Sequence, residues 1–356
     1  MQRTPDYPRD SAQEIVVSTE GLRQLIERVL VKKGMYAADA EVVAARMIEA
    51  DLRGIHSHGS KALPVYLNEM DDGNIDPRGE VLTIKETAAM AVLDGGRAMG
   101  QVAATKAMKL AIDKAREVGT GTVSIRNGQH YGACSVYVLM AIEAGMIGYT
   151  TTSTGAATVA AYGSRQAANA NHAFAWGVPV KSGPPVVLDM ACAESSWGKI
   201  EALKMYNGKI PDGWALDAAG EPTVDPHAAK VLTPTAGARG YGLGFVAGIL
   251  CGPLAGSRMP LHKPPGIAVG GSEHFFYAID VRHFTEEDRY FDEVQKTVDE
   301  IRQLTPSDGF DRVRLPGERE WERSQEWSNT GIPLHRDHVE QVRECARRLK
   351  VEIPWG

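Results

Sequence analysis

The chain has 356 residues, 43% of them hydrophobic and 24% charged, with a formal net charge of −6. That length exceeds what a single hydrophobic core usually serves, so two or three domains are expected, and the apolar fraction is ample to fill them. A net acidic chain offers no basic field for nucleic acid, which excludes that class of partner.

The first ten residues carry charges and prolines without an apolar stretch, so no standard secretory signal is expected and residues 1–14 read as a mobile arm. Behind Ser18 and Thr19, the residues Leu22, Leu25, Ile26, Val29 and Leu30 recur at helical spacing; Val43, Met47 and Ala50 repeat the pattern behind Asp39. Two helices therefore lead into Asp51-Leu52-Arg53-Gly54-Ile55-His56-Ser57-His58-Gly59. Next, Met90 to Asp94 reads as a strand ending in the Gly95-Gly96 turn, and Gln101 to Val118 as a helix. Strand Thr122 to Ile125, helix Ser135 to Ala144, strand Ile147 to Thr152 and strand Val186 to Leu188 continue an α/β alternation.

The apolar run from Tyr241 to Gly256 is too short for a membrane span, which needs about 20 apolar residues, and it contains Pro253. Its glycines fall four apart, at Gly240, Gly244, Gly248, Gly252 and Gly256, along one side of a helix. A missing Cβ there admits another backbone, so a helix buried against a sheet is expected. After Thr285 the chain becomes more charged, with helix Glu286 to Leu304, a turn at Pro316-Gly317 and a final helix Arg336 to Lys350 expected to dock on the N-terminal helices. No internal repeat is visible. Cys134, Cys192, Cys251 and Cys345 form no C-x-x-C pair, so neither a zinc knuckle nor a disulfide framework is indicated, and a reducing cytoplasm is the expected setting.

Three segments carry chemistry. Histidine titrates near neutrality, so His56 and His58, where a helix runs out, are candidate proton donors or acceptors. A lone histidine is more often structural, and a His-x-His pair is a weak metal signal; no carboxylate is spaced to complete a site, so no metal is assigned. His130 stands in Arg126-Asn127-Gly128-Gln129-His130-Tyr131-Gly132, again where an apolar stretch gives way to small and polar residues. The third segment is Pro234-Thr235-Ala236-Gly237-Ala238-Arg239-Gly240-Tyr241-Gly242, a glycine-rich run with one cation. Its backbone N–H groups and Arg239 suit a pyrophosphate, and its glycines equally suit tight helix packing. No G-x-G-x-x-G fingerprint stands between a strand and a helix, so a Rossmann domain is not supported.

In this order, and with Leu93-Asp94-Gly95-Gly96, Gly100-Gln101, Val187-Leu188-Asp189-Met190-Ala191, Gly198-Lys199-Ile200, Ile210-Pro211-Asp212-Gly213-Trp214 and Leu315-Pro316-Gly317-Glu318-Arg319, these segments resemble the malate/L-lactate dehydrogenase-like family. The resemblance covers about Ser18 to Leu334. It implies an α/β, non-Rossmann fold in which a helical N-/C-terminal domain packs on a mixed-sheet cofactor domain. The division expected is 15–120 with 260–356 as a discontinuous helical and sheet domain, and 121–259 as the cofactor-binding domain. It also implies NAD or NADP as cofactor, a small-molecule substrate and a homodimer. The carried-over catalytic residues are His58, His130 and Asp189. Asn171, His172, Gly237, Arg239 and Gly240 are expected at the cofactor, and Arg53, His56, Ser57, Lys61 and Arg126 at the substrate.

The departures from the family pattern carry equal weight. Its carboxylate-pairing Arg, four residues after the catalytic His, is Ala62 here; its Asp two residues before that His is His56. Its Gly-Thr-Asn-Pro block aligns with Ala170-Asn171-His172-Ala173, and the usual Lys of the glycine-rich loop is Arg239. The expected function is hydride transfer between nicotinamide and a hydroxy/keto or imino substrate other than a simple 2-hydroxy acid, unless Lys61, Arg53 or Arg126 replaces the missing clamp. The alternative is a cofactor-independent isomerase, lyase or hydrolase using His58, His130 and His172.

Overall fold

The structure is a computed structural model that describes residues 9–264 and 271–355; residues 1–8 of the expected arm lie outside them. In chain order the helices are α1 (Thr19–Lys32), α2 (Ala37–Leu52), α3 (Leu63–Asp71), α4 (Gly100–Val118), α5 (Ser135–Glu143), α6 (Trp197–Met205), α7 (Ala238–Cys251), α8 (Glu287–Arg302), α9 (Glu318–Thr330) and α10 (Arg336–Arg348). The strands are β1 (Glu14–Val17), β2 (Leu82–Glu86), β3 (Met90–Asp94), β4 (Thr120–Gly128), β5 (Ile147–Thr154), β6 (Val159–Ala160), β7 (Ala167–Asn169), β8 (Ala173–Val178), β9 (Val186–Ala191), β10 (Ala215–Leu216), β11 (Val231–Leu232), β12 (Ser272–Ile279) and β13 (Ile332–His335).

The main sheet has seven strands in the order β2-β3-β4-β12-β5-β8-β9. Only β3 and β4 run parallel; the other pairs are antiparallel. The sheet is therefore mixed, and its central strand β12 arrives from the last third of the chain. Helices α4 and α5 cover it, placing Ala103, Ala107, Met108, Tyr137 and Val138 against Val123, Ile125 and Phe276. Gly119 ends α4 at a φ of 89°, a left-handed cap that turns the chain straight into β4.

A second core joins α1, α2 and α3 to α9, β13 and α10, with Leu25, Ile26, Met47, Leu67, Trp327 and Val342 at its centre. The hydroxyl of Ser18 caps α1 by accepting the Gly21 N–H at 3.3 Å, as the periodicity behind Ser18 foretold. The C-terminal helix thus docks on the N-terminal helices, and β1 pairs antiparallel with β13. Beside this, residues 159–169 and 215–232 build a four-stranded sheet, β10-β11-β6-β7, with a small core around Ile200, Trp214 and Leu232.

Helix α7 is buried on its glycine side only. A Cβ on Gly240 would lie 2.3 Å from the Thr235 carbonyl oxygen, and one on Gly248 would lie 3.0 Å from His172 Nε2. Its other side presents Leu243, Phe245, Val246 and Ile249 to solvent. The expected packing against a sheet is met on the glycine side, against β5 and β12, and the opposite side is open: glycine spacing reports the close-packed side and says nothing of the other.

Candidate active site

The turn after α2 is organised from beneath by a fully buried carboxylate. Asp51 accepts from His56 Nδ1–H at 2.9 Å and from the Ser60 N–H at 2.7 Å. Gly59 is required beside it, because a Cβ there would lie 2.3 Å from Asp51 Oδ1. The His56 ring stacks on Trp327, with centroids 5.7 Å apart, and meets His338 edge-on. His56 and Lys61 therefore face a water-sized cavity shared with Tyr206, His335 and His338, not the large cleft.

One residue pair further on, the chain turns the other way. Ser57 and His58 line a cleft of about 550 Å³ together with Arg53, Cys134, Ser135, Asn171, Asp189, Lys199, Arg319, Glu320 and Arg323. The Ser57 hydroxyl lies 2.8 Å from His58 Nδ1, which leaves His58 Nε2 for a ligand. Gly198 makes this fit: a Cβ there would lie 2.4 Å from Ser57 Cβ. The His130 ring stands 5.3 Å from that of His58. Tyr66, on α3, reaches His130 Nδ1 at 2.8 Å and Gln101 Nε2 at 3.1 Å.

Burial lowers the His58 pKa below its ordinary 6.5, and the Asp189 charge opposes that shift. Burial raises the Asp189 carboxyl, against the Ser135 N–H bonded to it at 2.8 Å and the nearby Arg53 and His58 charges. His130 is driven down to about 3, first by burial and then by the His58 and His274 charges, so it is neutral at physiological pH. Arg53 is only 4% exposed, and its Nε has no hydrogen-bond partner among the described residues. A buried guanidinium with an unmet donor is a site built for an anion.

The structure thus brings together His58, His130, Asp189, Arg53 and Ser57, and leaves other expected site residues elsewhere. His172 lies beneath α7, its Nδ1 3.1 Å from the Thr152 carbonyl oxygen. Asn171 lines the cleft, but its amide is spent on the Ala193 N–H and the Ser195 carbonyl. Arg126, at the end of β4, pairs with Asp94 at 3.5 Å outside the cleft. Ala62 is buried in the helical core.

In the glycine-rich loop the N–H groups of Ala236, Gly237, Gly240 and Tyr241 all have internal acceptors. The tight-packing role of Gly240 is therefore visible, and the exposed Arg239 side chain is a donor available to an anion.

Arg319, Glu320 and Arg323 of α9 were missed from sequence. Arg319, Arg323 and Trp327 recur four apart, so the buried tryptophan was the signal that this face turns inward. Arg323 closes over Gly54, where a Cβ would lie 3.1 Å from its Nη1. The cleft sets four cations (Arg53, Lys199, Arg319 and Arg323) against two carboxylates, Asp189 and Glu320, in a chain that is negative overall. This donor set fits a pyrophosphate together with a carboxylate.

The family model for malate/L-lactate dehydrogenase matches residues 17–343. Malate dehydrogenase of Pyrococcus abyssi is 35% identical over 347 residues, covering 94% of this chain and 95% of that one. Ureidoglycolate dehydrogenase (NAD(+)) of Escherichia coli O157:H7 is 31% identical, covering 89% of this chain and 92% of its own. The solved sulfolactate dehydrogenase of Methanocaldococcus jannaschii superposes with a TM-score of 0.87 at 32% identity, covering 95% of this chain and 98% of that one.

Proposed function

The chain belongs to the malate/L-lactate dehydrogenase family of nicotinamide-dependent dehydrogenases and reductases, and on that premise we propose that His58 moves the proton while Arg53 holds a carboxylate of a hydroxy or keto acid. The observation that carries this reading is the buried Arg53 guanidinium, with an Nε–H unmet among the described residues, in the same cleft as His58, whose ring stands 5.3 Å from that of His130. Of the three cations able to replace the family arginine lost at Ala62, Lys61 and Arg126 lie outside that cleft and Arg53 lies within it.

A bound nicotinamide cofactor supplies or takes up the hydride. Arg319, Arg323 and Lys199 are the residues placed to hold its phosphates, with Arg239 a further donor. In oxidation, neutral His58 takes the hydroxyl proton at Nε2 as the hydride leaves the carbon; in reduction, the imidazolium returns it. Asp189 favours that imidazolium through charge, and the Ser57 hydroxyl fixes the ring. His130, being neutral, donates a hydrogen bond to the substrate oxygen rather than a proton. The cofactor-independent alternative needed His172 beside His58, and His172 is beneath α7.

The experiment is NADH and NADPH fluorescence enhancement, followed by turnover of malate, lactate and their keto acids with the wild type and Arg53→Met. Cofactor binding with turnover, and a loss on Arg53→Met of about 10²-fold or more in kcat/KM, is expected, since an unpaired carboxylate in a desolvated site costs several kcal/mol. Turnover unaffected by Arg53→Met would overturn the carboxylate assignment, and the cofactor giving the larger enhancement would decide between NAD and NADP.

The exposed Leu243, Phe245, Val246 and Ile249 face of α7 supports a homodimer, since a second copy would cover it symmetrically. Light scattering should give a mass near twice 38.5 kDa, falling toward one chain on Val246→Glu. The buried, unpaired state of all four cysteines supports a reducing compartment, the cytoplasm.

A further inference from the structure

Tyr66 and Gln101 are not site residues by any feature of the sequence, yet they form a directed chain of hydrogen bonds ending on His130. The Gln101 amide Nε2–H donates to the Tyr66 oxygen at 3.1 Å. The buried phenol proton has no other acceptor among the described residues, so the second bond, 2.8 Å to His130 Nδ1, is the one it donates. Nδ1 is then an acceptor, and the single proton of neutral His130 resides on Nε2.

We propose that Tyr66 and Gln101 are positioning residues that lock His130 as its Nε2–H tautomer, so that it always presents a donor to the substrate oxygen beside His58. This rests on the hydride-transfer reading above.

Three observations support the direction of the chain. Gln101, Tyr66 and the fold around them are closed to water: Gln101 is 1% and Tyr66 2% exposed, so no solvent competes for these bonds. Burial holds the Tyr66 phenol well above its ordinary pKa, so it remains a donor across the working range. With Nε2 toward Tyr66, Gln101 leaves its Oε1 without a partner among the described residues. The reversed amide would orphan a buried N–H instead, the rarer and costlier arrangement.

The consequence is a division of labour between two adjacent imidazoles. His58 has its Nδ1 on a serine hydroxyl, which can donate or accept, so its ring is free to gain and lose a proton. His130 has its Nδ1 on a phenol committed to donating, so its ring is held in one state. A reacting oxygen between them meets one exchangeable group and one fixed donor, an arrangement that stabilises developing negative charge without a second proton transfer.

Histidine 15N chemical shifts, recorded on the cofactor-free protein between pH 5 and 8, test the lock directly. In the wild type the His130 signals should show unprotonated Nδ1 and protonated Nε2 throughout. Gln101→Glu replaces the donor with a carboxylate that takes the Tyr66 proton, so the chain should reverse and His130 Nδ1 should become protonated. Turnover should then fall about 10²-fold in kcat, the effect of losing one preorganised donor to a reacting oxygen, with cofactor affinity unchanged. Tyr66→Phe removes the bond without adding charge; it should give a mixture of tautomers and about a tenfold loss, the value of roughly one hydrogen bond.

A wild-type His130 protonated at Nδ1, or tautomers that ignore both variants, would overturn the lock. Tautomers that respond while kcat does not would overturn its role in turnover. Failure of the free protein to bind either cofactor would sink the hydride-transfer reading while leaving the tautomer result standing, so the two are separable.

Discussion

His56 and His58 stand two residues apart in one turn, and the protein treats them in opposite ways. On one side, His56 gives its Nδ1 proton to Asp51, stacks on Trp327 and closes a cavity too small for a substrate. On the other, His58 keeps one nitrogen toward a cleft of about 550 Å³, with Asp189, His130 and Arg53 around it. The contrast teaches that residue type and chain position do not make a catalytic histidine. An imidazole whose hydrogen bonds are met inside the fold is part of the scaffold, and one with a nitrogen open to a cleft can exchange a proton there.

The largest expected effect separates the two sides directly. His58→Ala should lower kcat by about 10²–10⁴-fold, the usual contribution of an acid/base group, with an unchanged thermal melt. His56→Ala should do the reverse, costing stability and little turnover. Comparable loss of turnover from both, at equal stability, would erase the distinction.

Asp51→Ala attacks the scaffold side alone. It leaves the His56 ring N–H and the Ser60 N–H without their acceptor in a buried site, a cost of about 3 kcal/mol. Denaturant unfolding should show that loss, and a variant as stable as wild type would mean that water replaces the carboxylate.

Ala62→Arg tests whether the missing family arginine belongs to the cleft. Ala62 packs in the helical core, so the long side chain should cost about 1–3 kcal/mol by overpacking and confer no new keto-acid activity. A gain of turnover on pyruvate or oxaloacetate at wild-type stability would show that the side chain reaches the substrate after all.

Asp189→Asn sharpens the catalytic side through pH. With Asp189 ionised, its charge holds the His58 pKa up against burial; without it the pKa falls further. Neutral His58 is the form needed for oxidation, so the acid limb of kcat/KM for oxidation should lie below pH 6.5 and move lower in the variant. Reduction, which needs the imidazolium, should weaken at any fixed pH on or above that limb. An unmoved limb would detach Asp189 from His58.

A last effect is global and driven by pH alone. His130 and His274 are held down to about 3 and His172 to about 4 by burial. The unfolded chain therefore binds protons that the native one refuses, and stability should fall as pH drops from about 6.5 toward those values. Melts at pH 7, 5.5 and 4 would check it; a flat profile would mean that these rings are hydrated.

Much of this molecule was readable in one dimension. Helical spacing behind Ser18, the Gly95-Gly96 turn and the four-residue glycine ladder are local signals, and the elements they predicted form because each expresses a preference of the nearby backbone. His58, His130 and Asp189 were readable as candidates, as residues of recognisable segments ending on helices or strands, and the structure brings them near one another. What no local signal contained was the sense in which each side chain points. His56 and His58 differ by a rotation within one turn, decided by a carboxylate five residues earlier and a tryptophan on α9. Arg319 and Arg323 become cleft residues only because α9 packs against α2, more than 250 residues away in the chain. The tautomer of His130 depends on α3 and α4 meeting behind it. Secondary structure follows from short-range sterics and hydrogen bonding, which the sequence states openly; a site is a convergence of distant elements, and only the packed structure decides which of its polar atoms are satisfied and which are left facing a ligand.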